Sequence, residues 1–169
     1  MTSPTSVWIC AAFHPTYLCG GWAYVQDAQG QVTGAAGGER RTTASRMALT
    51  GLAAALRGLP PCKSATATAP VDIRTTSPDL ALFAEILAGL GEQTPAAPPE
   101  TDLDIWARVI SASTGRRLAL TLMDPGPNTP LAFAAAWAEL ARDKAKATGP
   151  FTASIPKTNL AKVAGLGSP

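Results

Sequence analysis

Three β-prone segments joined by short turns precede any helix in this chain, and few folds begin that way. Ser6 to Ala12 is mostly apolar and reads as a short buried strand. A turn-like stretch around His14-Pro15 leads to Gly20-Gly21 and a second strand, Trp22 to Asp27. Asp27-Ala28-Gln29-Gly30 is a turn signal, and Val32 to Ala36 is expected to pair back as a third strand. Consecutive strands with short connections make an antiparallel meander.

Helices follow. From about Ala44 to Leu59, Met47, Leu52 and Leu56 recur at near-helical spacing, Thr43 or Ser45 can cap the start, and Pro60-Pro61 stops the run. The polar stretch Lys63 to Ala69 reads as a loop and Val71 to Thr75 as a fourth strand. Ser77-Pro78-Asp79 then supplies a cap, a first-turn proline and an acid near the helix start, for a helix expected to reach about Leu90. Gly91 to Glu100 holds three prolines and reads as a linker. A third helix is expected over Asp104 to Ser113, a strand over Arg117 to Met123, a loop over Asp124 to Pro130 and a last helix over Leu131 to Ala147. A meander followed by βα units predicts an α/β domain, a mixed five-stranded sheet with helices on both faces. Residues 1–148 are expected to form that domain, and 149–169 an extended or disordered tail.

Composition narrows the classes. With 169 residues, 46% hydrophobic and 15% charged, the chain has the makeup of one globular domain rather than a disordered segment. Alanine supplies much of the apolar fraction, so the core is expected to be built from small side chains. A net charge of +2 does not by itself call for nucleic acid. The charge is uneven, however: Arg142, Lys144, Lys146, Lys157 and Lys162 stand against Asp143 alone in their stretch. No apolar run reaches the roughly 20 residues of a membrane span, and the first residues lack the pattern of a secretory signal, so a cytoplasmic protein with no membrane partner is expected. Cys10, Cys19 and Cys62 have no paired spacing, which argues against a disulfide framework. One histidine and no Cys-x-x-Cys leave no structural zinc set.

Five segments carry a resemblance. Arg41-Thr42-Thr43-Ala44-Ser45-Arg46-Met47-Ala48-Leu49 follows the Gly20-Gly21-Trp22-Ala23 strand. Val71 to Ser77, Leu103-Asp104-Ile105-Trp106-Ala107-Arg108 and Ala138-Glu139-Leu140-Ala141 come after it in order. This series resembles the type 1 ribonuclease H family, where Arg-Thr-Thr-Asn-Asn-Arg-Met-Glu-Leu opens the first long helix. The resemblance implies a ribonuclease H-like fold and an RNA/DNA hybrid endonuclease that holds two Mg²⁺ ions with four carboxylates. Two ions would stabilise the attacking water and the leaving oxygen of a phosphodiester cleavage. The matching positions here are Cys10, Ala48, Thr76 and Ala138, and none is an acid. The chain therefore looks like a degenerate member with no catalytic residue, no metal ligand and no cofactor, Mg²⁺ being expected only of an active site.

Substitute acids do not assemble on sequence grounds. Asp72 shares a strand face with Thr76 but stands four residues away, roughly 13 Å. Asp79 reads as a helix-dipole partner, Glu139 points about 100° away from Ala138, and Asp124 sits in a loop without the family's mobile histidine. Gly91 to Thr101, where many bacterial relatives carry a basic protrusion, has no Lys or Arg. Thr42, Thr43, Ser45 and Arg46 are retained and form a candidate nucleic-acid-binding set at a helix start, although an ordinary cap with a surface arginine has the same letters. Cys10 with His14 has the residue types of a nucleophile–base pair, but a buried thiol beside a loop histidine explains it better. Trp8, Trp22, Trp106 and Trp137 could offer stacking faces to bases, but they lie among apolar residues and core packing is expected for at least three of them.

The leading expectation is a catalytically inactive ribonuclease H-like protein that binds an RNA/DNA hybrid or other nucleic acid weakly. The alternatives are a protein-interaction module with a protein partner, and a residual metal-dependent ribonuclease H.

Overall fold

The computed structural model describes residues 5–60, 69–88 and 100–163. Most of the expected loop after Pro60, the end of the helix read to Leu90, residues 91–99 of the linker and of the segment without Lys or Arg, and Cys62 lie outside the described residues. Strands β1 (Thr5–His14), β2 (Cys19–Ala28) and β3 (Gln31–Glu39) form the meander. The β2–β3 hairpin closes on two residues, Gln29 and Gly30, at φ 56° and 82°. A positive φ at both centres matches the twist of paired strands, and Asp27 Oδ1 accepts from Gly30 N at 3.0 Å.

Helix α1 (Ala44–Arg57) starts where Thr43 accepts from the Arg46 nitrogen. Strand β4 (Ala69–Thr75) then lies parallel to β1, and β5 (Arg116–Leu122) parallel to β4. The helix expected after Ser77 is two short ones, α2 (Pro78–Leu82) and α3 (Ala84–Ala88), broken at Phe83. Phe83 takes φ −94° and ψ 4°, and its ring meets Trp106 edge-on at 5.1 Å. Helix α4 (Leu103–Ala112) precedes β5, and α5 (Pro130–Thr148) follows it.

Among the described residues the sheet has six strands, not five, in the order β5-β4-β1-β2-β3-β6. The extra strand, β6 (Phe151–Ser154), comes from the stretch read as a tail, so the ordered unit runs past the expected boundary at residue 148. Gly149, at φ 98°, ends α5 and turns the chain back along β3. Ile155 then donates its N–H to the Gly34 carbonyl at 2.9 Å, and Ile155, Leu160 on α6 (Lys157–Leu160) and Val163 are buried. Burying three branched side chains supplies the order that a four-residue strand could not supply alone.

Alternation along the strands separates two apolar layers. Val7, Ile9, Trp22 and Tyr24 face α1 and α4, whereas Trp8, Cys10, Ala23 and Val25 face α5. The α5 layer is thin. Gly21 and Gly38 are register partners beneath the helix, and a Cβ on Gly38 would stand 2.7 Å from Ala145 Cβ and 2.8 Å from the Ala141 carbonyl oxygen. A Cβ on Gly21 would strike the Ala138 carbonyl and the Arg142 nitrogen. With alanines at 138, 141 and 145, all buried, the helix backbone rests directly on the sheet. No helix among the described residues is long and apolar enough to cross a membrane.

Candidate functional site

β1 and β4 run side by side, pairing Ile9 with Thr75, which leaves Cys10 and Thr76 adjacent where the strands end their pairing. Thr76 Oγ1 donates to Cys10 Sγ at 3.4 Å, and Cys10 Sγ donates to the Leu131 carbonyl of α5, also at 3.4 Å. Cys10 is 1% exposed. Burial pushes its thiol up from the ordinary value, against smaller opposing effects of the Thr76 hydrogen bonds. The group is therefore a neutral thiol at physiological pH and a poor nucleophile or metal ligand.

The other two positions do not join this pair. Ala48 is fully buried in α1, in the apolar layer on the far side of the sheet. Ala138 shares the Cys10 layer, but its carbonyl lies over Gly21, which pairs with Ala12 rather than with Cys10. Leu131, two turns earlier, is the α5 residue whose carbonyl reaches the thiol.

The alternative acids are engaged elsewhere or stand in solvent. Asp72 pairs with Arg74 at 2.8 Å, and the Arg74 guanidinium lies 5.9 Å from the Trp8 ring centre. Asp79, expected to serve the dipole of its own helix, accepts from Ser45 Oγ at 3.0 Å and so ties α2 to α1. Asp124 and Glu139 are exposed. Among the described residues no group of three or more His, Cys, Asp or Glu side chains is placed to hold a metal ion. Mg²⁺ takes oxygen ligands, with carboxylates to balance its charge. A thiol, a hydroxyl donating into that thiol and two methyl groups do not fit such a pair.

The retained set at the start of α1 is committed internally. Thr42 is 5% exposed, its N–H donates to the Leu18 carbonyl at 3.0 Å, and its hydroxyl is buried without a partner. Thr43 caps the helix, and Ser45 holds Asp79. Arg46 reaches Glu39 at 3.4 Å, Asp102 at 3.2 Å and Asp104 at 3.0 and 2.9 Å through its two terminal nitrogens. Arg41, at φ 53°, and Thr43 remain exposed beside it.

The Arg46 guanidinium pulls the Asp104 carboxyl down to about 2 from its ordinary 3.8. A depressed carboxyl stabilises the fold above pH 4 and loses that contribution as pH falls toward 2. Following Asp104 by carboxyl NMR should give a midpoint near 2, and Arg46→Met should return it to the ordinary range near 4. An unchanged midpoint in the variant would mean Arg46 is not the cause.

The remaining candidates separate. His14 stands four residues beyond Cys10, roughly 13 Å along the strand. It lies across from Cys19, its Nδ1 accepts from the Thr16 nitrogen, and its ring meets Tyr17 at 4.8 Å. Trp8, Trp22 and Trp106 are buried, and Trp137 is half-buried against Phe133. In the basic run, Arg142 bonds Asp143 and Lys144 stands 4.5 Å from the Phe151 ring centre. Lys146 stands 3.7 Å from the Tyr17 ring centre, and Lys157 and Lys162 are exposed. Arg40 lies outside that run and donates to the Ala145 and Lys146 carbonyls, closing the end of α5. No sequence pattern announced the Arg46 cluster, because two of its acids stand 56 and 58 residues further along the chain.

A mixed sheet with an antiparallel meander, two parallel additions and helices on both faces is the ribonuclease H-like α/β fold. Several solved ribonuclease H structures superpose on it. LC9-RNase H1, a type 1 enzyme with the type 2 active-site motif, matches with a TM-score of 0.60 at 14% identity, over 90% of this chain and 79% of that one. The N-terminal ribonuclease H domain of a Mycobacterium tuberculosis protein matches at 0.58 and 16%, over 83% of this chain and all of that one. LC11-RNase H1, solved in complex with an RNA/DNA hybrid, matches at 0.58 and 17%, over 83% and 98%. At these identities the likeness is one of fold. No family model and no curated protein matches the chain.

Proposed function

We propose that this chain is a non-catalytic ribonuclease H-fold protein that engages an RNA/DNA hybrid or another nucleic acid weakly, through the phosphate backbone, without hydrolysing it. One observation carries the reading: a threonine hydroxyl donates to a buried thiol where the resemblance puts two metal-binding carboxylates. Ala48 and Ala138 offer no substitute, and the acids nearest the start of α1 are spent on Arg46 and Ser45. The hybrid held by LC11-RNase H1 supports a hybrid as the ligand to test. Weak binding follows from the geometry, because Arg46 is neutralised by three carboxylates while Arg41 and Thr43 stay open to a phosphate.

Three measurements check this. Millimolar Mg²⁺ should not raise the melting temperature, and purified native protein should not cleave a hybrid with Mg²⁺ or Mn²⁺. A rise or cleavage would mean that the protein holds metal after all and would end the non-catalytic proposal. Hybrid affinity should fall with salt at a log–log slope of about −1 to −2, the value for one or two phosphate contacts. No binding at low salt would remove the nucleic-acid part of the reading and move the function to a protein partner.

A further inference from the structure

At the end of α1 away from Thr43, a cleft of about 720 Å³ opens between α1 and α4 and reaches the start of β5. Among the described residues its charged lining is Arg57, Arg108 and Arg116, with Thr50 and Ser111 beside them and no carboxylate. Its floor is apolar and low, with Ala53, Ala54 and Ala112 between the helices and Leu56, Leu59 and Ile105 beneath.

Ordinary structural roles account for part of this. Arg57 stands in the last turn of α1, where a cation meets the helix dipole. Arg116 donates to the Pro60 carbonyl, which holds its guanidinium at the rim. Arg108 has no such explanation. It lies mid-helix and exposed, and among the described residues neither it nor Arg57 has an ion pair or hydrogen-bond partner. Arg46, Arg74 and Arg142 meet carboxylates, and the exposed cations Arg41, Lys157 and Lys162 stand outside this concavity. Three like charges gathered in one concavity without a counter-charge repel one another, and a multiply charged oxyanion relieves that repulsion. Guanidinium forks match phosphate oxygens in pairs.

We propose that this cleft binds an organic phosphate of nucleoside diphosphate size, its phosphates held by Arg57, Arg108 and Arg116 and its ring laid on the alanine floor. The volume falls within the roughly 300–1,000 Å³ of small-molecule sites, larger than a bare anion needs. The site is separate from the start of α1, so it stands or falls independently of hybrid binding there.

ADP without metal is the probe, with pyrophosphate, adenosine and a single-stranded oligonucleotide as comparison arms in calorimetric titrations of the full chain. ADP should bind saturably, at least tenfold more tightly than pyrophosphate or adenosine. Arg108→Glu and Arg57→Glu should each weaken it at least tenfold while leaving the unliganded melting temperature within a few degrees. Lys162→Glu, exposed and outside the cleft lining, should leave ADP binding unchanged. No saturation at millimolar ADP, or binding indifferent to both cleft substitutions, would overturn the proposal. Equal affinity for pyrophosphate would remove the ring from it. Tighter oligonucleotide binding that depends on the same arginines would replace the small molecule by a strand.

Discussion

Gly21→Val is expected to destabilise the protein by at least about 3 kcal/mol, a large share of the 5–15 kcal/mol that domains commonly possess. The Gly21 Cα faces the backbone of α5 rather than side-chain tips, so an added Cβ meets the Ala138 carbonyl and the Arg142 nitrogen. Neither can rotate away, and the helix must lift as a body. Lifting it uncovers Ala138, Ala141 and Ala145 and separates the Cys10 thiol from the Leu131 carbonyl. For a domain of this length the melting temperature should drop by roughly 10 °C. Gly21→Ala should show a sizeable part of the effect, since the first carbon already collides. Gly126→Ala is the control, because a Cβ there meets only the Thr129 methyl at an ordinary 3.4 Å. If Gly21→Ala melts within a degree of the native protein, the helix does not rest on the sheet at this point.

Cys10→Asp, which introduces a carboxylate where the resemblance implies one, is expected to cost about 3–5 kcal/mol at pH 7. The new carboxylate would be buried in an apolar layer, facing the Leu131 carbonyl, with only Thr76, through its hydroxyl and its backbone, placed to donate among the described residues. Desolvation raises such a carboxyl above its unfolded value near 4. The penalty is therefore absent below pH 4, grows as pH rises through the window between the unfolded and folded values, and is constant above it. Cys10→Asn, similar in shape and never charged, should lack that pH dependence. Urea unfolding of both variants from pH 3 to 8 separates charge from shape. Millimolar Mg²⁺ should not restore the aspartate variant, since Ala48 and Ala138 add no oxygen. Recovery in Mg²⁺ would reveal other ligands converging on Cys10 and would end the non-catalytic reading.

Local chemistry made much of the fold legible. The meander was readable because apolar runs alternate with turns, and Asp27-Ala28-Gln29-Gly30 closes the hairpin as its residues require. Thr43 and Ser77 cap the helices they were expected to cap, through bonds to Arg46 N and Leu80 N. The sixth strand was not readable. β6 has four residues, only Phe151 is even half-buried, and what secures it, Ile155 against Gly34, depends on a strand more than a hundred residues earlier. Phe83 broke the expected second helix through its packing on Trp106, again a distant partner.

The candidate site divides in the same way. That Cys10, Ala48, Thr76 and Ala138 lack carboxylates is a matter of residue identity and needs no coordinates. Their placement does. Strand pairing sets Thr76 against Cys10, the packing of α1 on the other face of the sheet puts Ala48 in the opposite layer, and the thin glycine–alanine contact fixes which turn of α5 lies over the thiol. Arg46 looks like a free phosphate ligand in the letters and is a tethered ion-pair partner in space.

The sequence by itself determined the meander, the capped starts of its helices and the shortage of negative oxygens, because helix caps, turns, alternation and side-chain chemistry are properties of neighbouring residues. Only the tertiary structure decided which groups meet: the Cys10–Thr76 pair, the acids around Arg46 and the three arginines of the α1–α4 cleft. Those contacts join residues tens of positions apart, and chain closure over such distances is settled by the packing of whole elements, not by the preferences of any one segment.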